Sequence, residues 1–558
     1  MAFQNSVYFP AFIIILYSIT TTVISVKTSF QIELEALQTF KKSITKDPLD
    51  SLSNWATKKH HCNWTSISCD ANTSNVIAIY LGEKKLRGRL SGSLGSLSHL
   101  QVLDLSSNLF YGPIPLELGN CSQLLQLSLY DNVLSGPIPS VLGKLPNLTY
   151  LDLGNNSFTG SIPDSIANCT SLEQIGLSSN NLTGKIPLNI GNLASLQVIV
   201  AHTNNLEGSI PKSIGKLTAL RTLDLSLNKL SGVIPATLGN LHNLTYLNLE
   251  NNFLTGSIPE NFFNCTSLEQ ISLSYNNLTG KISSKIGNLA SLQFFIAYSN
   301  KLEGLIPETI GNLTALTALD LSGNQLSGII PPSIGNLINI QTLHLMENKL
   351  TGKIPPEIGR CRNLTKLSLY SNKIEGSIPS ELGNLRNLQD LALYNNKLTS
   401  IIPKSLGNCK LLTTLQISAN QLSGIIPPEI GSLPSLEVLF LQMNNLTGPI
   451  PSSLTNLTNL QQFSASMNFL TGKIPSDIGK LSSLKKIALN DNLLSGSVPS
   501  SITNCSNLLD ISLSYNMLTG KIPQGLGRLS NITFISVGSN FLSGGIPDDL
   551  FDCSNLKP

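Results

Sequence analysis

Nine cysteines and six histidines are the side chains of this 558-residue chain that could form disulfides, bind metals or transfer protons. Cys62 and Cys69 lie close to His60 and His61. Such a cluster could form a disulfide or hold zinc, although its spacing fits no common zinc module. Charged residues make up only 12% of the chain, and no Ser-His-Asp, Cys-His or paired-carboxylate constellation stands out. We therefore expect no enzyme activity, no resident metal and no cofactor.

The net charge and the hydrophobic content exclude further classes of protein. The formal net charge is +3, so the chain is neither a polycationic nucleic-acid binder nor an acidic tail. Hydrophobic residues make up 41%, which is enough to build a core. At roughly 150 residues per domain, length alone predicts about three or four domains.

An apolar stretch from Phe9 to Val26 is typical of a secretory signal peptide, which we assign to residues 1–26. The residues before this stretch include no Lys or Arg, so an uncleaved anchor is the alternative. No second apolar run of about 20 residues follows, so we expect no internal transmembrane helix. The mature chain should therefore lie on the secreted, extracellular side.

A 24-residue period organises residues 75–552 into about 20 tandem repeats. One repeat reads Leu103-x-Leu105-x-x-Asn108-x-Phe110-x-Gly112-x-Ile114-Pro115. An earlier repeat has Lys84 at the Asn position. The Asn recurs at positions 108, 132, 156, 180, 204, 228, 252, 276, 300, 324, 348, 372, 396, 420, 444, 468, 492, 516 and 540.

Each part of the repeat has a physical reason. Leu-x-Leu predicts a short strand whose two leucines point inward. The Asn side chain can satisfy backbone groups where the chain leaves that strand. Gly-x-Ile-Pro suits a tight bend and a second extended stretch. Stacked coils share one core, so the chain should be one solenoid rather than several domains.

Two departures from the Gly-x-Ile-Pro pattern stand out. Ser283 replaces the Pro in one repeat, and Ser400 replaces the Gly in another. We interpret both as neutral changes, with local loop adaptation as the alternative.

Seven cysteines occupy one repeat position and never occur in adjacent repeats. Neighbouring coils are about 4.8 Å apart, so two coils are about 10 Å apart. A disulfide needs Cα atoms within about 7 Å. We therefore expect seven free, buried thiols: Cys121, Cys169, Cys265, Cys361, Cys409, Cys505 and Cys553.

The repeats resemble the plant-specific class of leucine-rich repeats. Residues 27–74, with Trp55, Cys62-Asn63-Trp64 and Cys69, resemble the N-terminal cap of plant leucine-rich-repeat receptors, in which such a Cys pair forms a disulfide. The resemblance implies an α/β repeat solenoid, a right-handed superhelix with parallel β-strands on its concave face.

Helical spacing is visible inside this cap. Leu34, Leu37, Phe40 and Ile44 have the spacing of an amphipathic helix. Asp47-Pro48 is expected to end that helix.

The segments Cys62 to Asp70, Leu103 to Asn108, Tyr394 to Pro403 and Gly545 to Asp549, taken in order, resemble the ectodomain of the plant flagellin-sensing receptor kinases. The resemblance implies an extended bacterial peptide along the concave strands. It also implies a short leucine-rich-repeat co-receptor kinase near the C-terminal repeats.

The same resemblance implies roles for individual residues. Tyr370 and Tyr394 match tyrosines in similar coils of the flagellin-sensing receptors. Ala392 departs from that family, which has a basic residue there.

Outward-pointing strand residues should lie one, two, four, six and seven places before each Asn, or before Lys84 in the first repeat. These outward positions carry 14 acids and 4 bases, a formal charge of −10. Nucleic acid is therefore disfavoured on the concave face, and a neutral or basic partner is favoured. Solvated acids without a binding role are the alternative.

Aromatic and apolar residues also occupy outward positions. A row of them suits an extended peptide, with scattered surface residues as the alternative. Tyr298, Met346, Tyr370 and Tyr394 share one position in near-consecutive coils and should form a ladder. The full set of expected ligand-binding residues is Phe294, Ile296, Tyr298, His344, Met346, Tyr370, Tyr394 and Phe440. A weaker group is Tyr130, Tyr150, His202, Tyr246 and Tyr275.

Asn-x-Ser/Thr sequons agree with a secreted glycoprotein. Only the sequon at Asn155 lies among the outward strand positions, so glycans should leave the concave face open. We expect glycans at Asn63, Asn147, Asn181, Asn243, Asn277, Asn312, Asn363, Asn445, Asn456 and Asn531.

The sequence ends within a further repeat, residues 553–558, without a second Cys-pair cap, a membrane span or a kinase signature. We therefore expect a fragment or truncated product that binds a ligand, and that reaches the plasma membrane only through a missing C-terminal part. The favoured function is a receptor ectodomain for a microbial peptide. A peptide-hormone receptor and a secreted decoy or inhibitor are the alternatives.

Overall fold

The structure is a computed structural model that describes residues 27–55, 59–553 and 555–556. The signal peptide assigned to residues 1–26 therefore lies outside the described residues. Within the described residues, no helix has the length and apolar character needed to cross a bilayer.

The N-terminal cap begins with helix α1, Ser29–Ser43. Thr28 starts it with a capping box, in which the Thr28 hydroxyl accepts from the Gln31 amide and the Gln31 side chain accepts from the Thr28 amide. Leu37 and Phe40 lie on its buried face, against the end of the solenoid core. The cap therefore covers apolar surface that the first coil would otherwise expose.

The expected end of the cap helix at Asp47-Pro48 is wrong. Helix α1 ends at Ser43, and the chain continues as the strand Ile44–Lys46. This strand pairs antiparallel with Arg87–Arg89, so its backbone hydrogen bonds go to the first coil instead of extending the helix.

The concave face is one long sheet to which each coil contributes one strand. Neighbouring strands pair in parallel, except that the first strand is antiparallel to the second. Within the described residues the sheet has 21 strands: Ile67–Cys69, Val76–Tyr80, Val102–Asp104, Gln126–Ser128, Tyr150–Asp152, Gln174–Gly176, Val198–Val200, Thr222–Asp224, Tyr246–Asn248, Gln270–Ser272, Phe294–Ile296, Ala318–Asp320, Thr342–His344, Lys366–Ser368, Asp390–Ala392, Thr414–Gln416, Val438–Phe440, Gln462–Ser464, Lys486–Ala488, Asp510–Ser512 and Phe534–Ser536.

A second row of short strands runs along the flank, where each Asn is followed by the Gly-x-Ile-Pro segment. Neighbouring coils pair in parallel there and form several small sheets. The strands are Arg87–Arg89, Leu109–Gly112, Val133–Pro137, Ser157–Gly160, Asn181–Leu182, Glu207–Gly208, Lys229–Val233, Phe253–Gly256, Asn277–Leu278, Glu303–Gly304, Gln325–Gly328, Lys349–Leu350, Glu375–Gly376, Lys397–Leu398, Ser423–Gly424, Asn445–Gly448, Phe469–Leu470, Ser495–Gly496, Met517–Gly520 and Phe541–Leu542.

The convex side carries short 3₁₀ helices, so the helical part of each coil is tighter than an α-helix. Tight coil packing explains their glycines: a Cβ at Gly335 would meet the Glu357 carbonyl oxygen at 2.5 Å. The 3₁₀ helices are His61–Asn63, Gly92–Ser96, Leu116–Asn120, Ser140–Lys144, Asp164–Asn168, Ile190–Asn192, Lys212–Lys216, Ala236–Asn240, Glu260–Asn264, Ser284–Asn288, Glu308–Asn312, Pro332–Asn336, Pro356–Arg360, Ser380–Asn384, Lys404–Asn408, Pro428–Ser432, Ser452–Asn456, Ile478–Lys480, Ser500–Asn504, Leu526–Arg528 and Asp548–Asp552.

The repeated Asn connects each coil to the one before it. The Asn324 side-chain nitrogen donates to the carbonyls of Leu321 (3.1 Å) and Ser322 (3.1 Å) in its own coil and of Ala297 (3.0 Å) in the preceding coil. Its side-chain oxygen accepts from the Leu302 amide at 2.9 Å. One amide group thus satisfies four buried backbone groups that no water could reach. We refer to the set of these contacts as the asparagine ladder.

The two departures from the repeat pattern have local explanations. Ser283 starts its 3₁₀ helix with a side-chain cap, accepting from the Lys285 amide at 3.2 Å. Ser400 has a φ of 67°, in the left-handed region that glycine occupies in the neighbouring repeats. The chain therefore keeps the same turn at Ser400 at some conformational cost.

Six cysteines of the repeats are free, buried thiols, as expected. The seventh, Cys553, is only partly buried, because no complete coil covers it among the described residues. Burial raises the pKa of Cys121 to about 11, and it does the same at Cys169, Cys265, Cys361, Cys409 and Cys505.

Asn324→Ala should destabilise the solenoid locally by ~1–3 kcal/mol, because the buried Leu302 amide loses its acceptor. The carbonyls of Leu321, Ser322 and Ala297 keep hydrogen bonds from other groups and contribute less to the loss. The check is a urea unfolding curve together with hydrogen exchange at the Leu302 amide, which should accelerate. Lys301→Ala, at an exposed side chain in the same region, is the matched control and should leave both unchanged. Equal effects of the two substitutions would contradict the role of the asparagine ladder.

The six buried thiols should resist alkylation at pH 8 in the folded chain, because the thiolate is the reactive form and burial raises the pKa of each thiol to about 11. Mass spectrometry after iodoacetamide treatment should find them modified only once urea unfolds the protein. Modification of all six under native conditions would show that the coils are not packed as described.

Candidate functional site

Each strand of the concave sheet presents alternate side chains to solvent. In the coil of Asn348, Leu343 and Leu345 are fully buried. His344 and Met346, which alternate with them, are partly exposed. The structure thus confirms the expected alternation, and the parallel register places equivalent residues of successive coils in columns.

Tyr370 and Tyr394 are the two residues of the expected ladder whose rings stack on each other. Their rings stack with centroids 4.3 Å apart and an interplanar angle of 9°. Burial, the neighbouring Tyr370 and the negative charge of Glu347 together raise the pKa of Tyr394 to about 12. The pair is a flat aromatic platform beside a carboxylate.

Tyr298 does not join this platform. Its ring meets Tyr275 edge-on at 4.9 Å, and its hydroxyl donates to Glu250 at 3.5 Å. Ser322 occupies the equivalent position of the next coil, which separates Tyr298 from Met346 in the column. The expected ladder therefore divides into two aromatic clusters, and Tyr275 belongs with Tyr298.

The other expected ligand-binding residues lie around these two clusters. Phe294 and Ile296 occupy the outward positions of one strand, beside Tyr298. Phe440 lies two strands beyond Ala392 in the same column, which runs beside the column of Tyr370 and Tyr394. None of the three is buried.

His344 forms a polar contact between the clusters. Its Nδ1 lies 3.3 Å from Asp320 Oδ2 in the preceding coil. Burial alone would raise the pKa of Asp320, but hydrogen bonds from His344 and Ser322 outweigh it and hold that pKa below its usual value. The acid is thus kept ionised beside a histidine that faces the groove.

Gln442 was not anticipated from the sequence. Its side-chain Oε1 is buried without a hydrogen-bond partner within the described residues, although the residue occupies an outward position of its strand. A glutamine among many polar residues gives no sequence signal of this kind, because only the packed structure shows which amide lacks a partner.

A second concavity, of about 1310 Å³, lies on the flank and was also not anticipated. Its apolar lining includes Ile329, Ile401 and Ile425, at the variable position of Gly-x-Ile-Pro. Most repeats have Pro, Ser or Lys at that position, so the available signal was three isoleucines within five successive repeats. The cavity lies away from the aromatic clusters of the concave face.

Cys62 and Cys69 are joined by a disulfide, with Cα atoms 5.5 Å apart. His60 and His61 bring ring nitrogens within 4.8 Å of the Cys62 sulfur. Since that sulfur is bonded to Cys69, it cannot act as a thiolate ligand for zinc.

A buried polar contact ties the cap to the first coil. His61 Nε2 lies 3.2 Å from Glu33 Oε2, and the Glu33 carboxylate accepts from the Val76 amide at 3.2 Å. The buried carboxylate thus has a backbone hydrogen bond on one side and the His61 ring on the other, although neither ring nitrogen of His61 has a hydrogen-bond partner within the described residues.

The ten expected glycosylation sites are accessible in the structure, since none of these asparagines is buried. Asn147, Asn243 and Asn363 each donate a side-chain hydrogen bond to a carbonyl of the preceding coil. Glycosylation at these positions stays a prediction.

Family models match the chain along most of its repeats. A model described as leucine-rich repeat N-terminal domain matches residues 32–70, and one described as leucine-rich repeat region matches residues 276–401. Leucine-rich-repeat models also match residues 122–182 and 194–254. None of these models describes a kinase.

Solved structures of plant receptors are similar to the chain over nearly its whole length. The Arabidopsis receptor kinase HAESA, in complex with the peptide hormone IDA and the co-receptor SERK1, is 33% identical with a TM-score of 0.78, covering 94% of this chain and 92% of that one. The plant peptide hormone receptor RGFR1 in complex with RGF2 is 34% identical with a TM-score of 0.74, covering 89% and 94%.

A curated relative from Arabidopsis thaliana, described as a probably inactive leucine-rich repeat receptor-like protein kinase, is 47% identical over 92 residues. The matched segment is 16% of this chain and 10% of the relative. The chain thus spans only about a tenth of the curated relative that it matches.

The tyrosines of the concave face should make stability fall at high pH. The pKa is raised to about 12 at Tyr150, Tyr298 and Tyr394, above the usual value near 10. The stabilisation is therefore complete below about pH 10 and is lost as pH rises through about 12.

Chemical denaturation at pH 9, 10, 11 and 12 measures this loss. Tyr298→Phe should reduce its size while leaving stability at pH 7 nearly unchanged. A pH dependence identical in wild type and Tyr298→Phe would contradict the raised pKa of Tyr298.

Proposed function

This chain belongs to the family of plant leucine-rich-repeat receptor kinase ectodomains, and from that premise we propose that it binds an extended peptide along its concave strands. The observation that carries the proposal is the stacked pair Tyr370 and Tyr394 on an outward column. Aromatic rings held in register on a solvated sheet offer a large, rigid contact surface to a ligand.

The negative charge of the concave face indicates the charge of the proposed ligand. The outward strand positions carry a formal charge of −10, while the whole chain carries +3. Few bases oppose these acids, and Lys486 lies 3.8 Å from Asp510 near the C-terminal end of the sheet. A neutral or basic peptide is therefore favoured over an acidic one.

A second question is whether the peptide comes from a microbe or from the plant itself. We propose a microbial, flagellin-like peptide, perceived in innate immunity at the plasma membrane. An endogenous peptide hormone is the second candidate, favoured because the similar solved receptors RGFR1 and HAESA are described with peptide hormones.

A co-receptor is proposed as a second partner. The HAESA complex contains the co-receptor SERK1 together with the peptide. By analogy, a short leucine-rich-repeat co-receptor kinase would join this chain near its C-terminal repeats once the peptide is bound. Signalling would then belong to kinase domains, while this chain supplies recognition.

Tyr370→Ala combined with Tyr394→Ala should weaken peptide binding about 10- to 100-fold, the usual cost of truncating aromatic hot spots. Calorimetry or biolayer interferometry against separate panels of flagellin-derived and plant hormone peptides provides the measurement. The panel that binds identifies the source of the ligand.

Tyr130→Ala is the matched control, because Tyr130 holds the equivalent strand position in an N-terminal coil outside the proposed site. It should leave affinity unchanged. If Tyr130→Ala weakened binding as much as the double substitution, the platform would not be the recognition surface.

A further inference from the structure

One edge of the solenoid lies where each concave strand turns into the flank strand, on either side of the ladder Asn. In the four coils from Asn468 to Asn540 this edge is apolar and exposed. The residue after the Asn is Phe, Leu, Met and Phe in turn, and the residue before it is Met or Tyr in two of the coils. We call these six residues the edge strip: Met467, Phe469, Leu493, Tyr515, Met517 and Phe541.

The edge strip is continuous, because backbone hydrogen bonds hold its residues one coil apart. The Leu493 and Met517 amides each donate to a carbonyl of the preceding coil at 2.8 Å. Phe469, Leu493 and Met517 have coils on both sides, so their exposure does not come from a place at the end of the solenoid. Single exposed apolar side chains are common on proteins, whereas contiguous apolar patches mark interaction sites.

The same edge is polar in the coils before the strip. In the eight coils from Asn276 to Asn444 the residue after the Asn is Asn, Lys or Gln. The residue before the Asn has a left-handed φ, which is 54° at Met467 and 55° at Tyr515. Small polar residues are the commonest there, and this backbone conformation disfavours bulky ones. Neither burial nor backbone conformation therefore accounts for the apolar residues of the strip.

The edge strip is also free of glycosylation sequons. In other coils the residue after the ladder Asn is itself the acceptor of a sequon, at Asn181, Asn277 and Asn445. No residue of the strip is such an acceptor. A glycan is bulky and hydrated, so it blocks close contact between two protein surfaces. The strip thus leaves a gap in the glycan cover that the sequence predicts for this edge.

The order of residues along the strip is nearly the same in both directions. The strands of these coils pair in one parallel register, so the strip residues are evenly spaced. A two-fold axis between Leu493 and Met517 would place Leu493 against Met517 of a second copy, and Phe469 against Phe541. It would also place Asp491 opposite the Tyr515 hydroxyl, which can donate to the carboxylate. A two-fold contact requires such a self-complementary patch.

The area of the strip suits a contact between two copies. A fully buried aromatic side chain contributes about 150–250 Å². Six large side chains, each about half exposed, therefore offer roughly 600 Å² per copy. A standard protein interface buries about 800 Å² per partner, and more than half of that area is apolar. The strip supplies the apolar part, and the polar residues around it can form the rim.

We propose that the edge strip is the contact surface between two copies of this chain, related by a two-fold axis between Leu493 and Met517. The two solenoids run antiparallel along the strip. A two-fold axis that lies in the interface, across the strip, keeps the concave faces of both copies on the same side of the dimer. Both faces therefore stay open to ligands.

Sedimentation velocity of the intact chain over a range of concentrations gives the first test. The wild type should form dimers as its concentration rises. Phe469→Asp should weaken the dimer about 100-fold, because each dimer would bury two carboxylates against Phe541. Phe253→Asp is the matched control: Phe253 holds the same repeat position and is 56% exposed, against 54% for Phe469, but Lys229 and Asn277 flank it in the column. It should leave dimerisation unchanged.

A pair of opposite charges tests the two-fold register. Leu493→Asp and Met517→Lys should each abolish self-association, because each places two charges against apolar side chains in the dimer. An equal mixture of the two variants should form a heterodimer. In it, the new carboxylate of one copy faces the new ammonium of the other, and the unchanged Met517 and Leu493 still meet. Both positions are exposed, so neither substitution should lower the melting temperature.

Three results would overturn the inference. These are a wild-type chain that is monomeric at every concentration, equal effects of Phe253→Asp and Phe469→Asp, and a mixture that stays monomeric. The other candidate for this edge is a co-receptor. If the chain were monomeric and Phe469→Asp weakened its binding to the SERK1 ectodomain, the strip would belong to that contact and not to a second copy. Peptide binding by the aromatic platform is measured separately and does not depend on any of these outcomes.

Discussion

The asparagine ladder is the interaction on which the rest of the structure depends. Each Asn amide nitrogen joins carbonyls of its own coil to a carbonyl of the preceding coil, while its oxygen accepts from a backbone amide of that same preceding coil. Without the Asn oxygen, that backbone amide would be buried without a partner. The asparagine ladder therefore fixes the spacing and register of the coils. The leucine side chains pack in the interior of the stacked coils.

Because the strands of successive coils pair in one fixed register, residues at equivalent repeat positions form columns across the concave face. Residues at one repeat position lie side by side, so Tyr370 and Tyr394 stack although 24 residues separate them. The same register keeps the repeat thiols in non-adjacent coils, where the six buried ones stay free. Function then depends on the few outward residues that the repeat leaves variable, such as Tyr298 and Tyr394.

Periodicity made much of this predictable. The strands, the outward positions and the free thiols follow from a 24-residue repeat, because its geometry is the same in every coil. The predictions were wrong at residues whose surroundings differ from those of the same position in other repeats. Ile44 enters a strand that pairs with the first coil. Cys553 has no full covering coil among the described residues, and Tyr298 turns toward Tyr275 and Glu250. The unpartnered amide of Gln442 depends on packing that no pattern in one sequence describes.

The central claim is that a peptide ligand occupies the concave strands and not the apolar cavity on the flank. Hydroxyl-radical footprinting of the chain with and without a bound peptide tests it most directly. We predict protection of Met346, Tyr370, Tyr394 and Phe440 on the concave face. Protection of Ile329, Ile401 and Ile425 in the flank cavity, with the concave aromatics unchanged, would contradict the account.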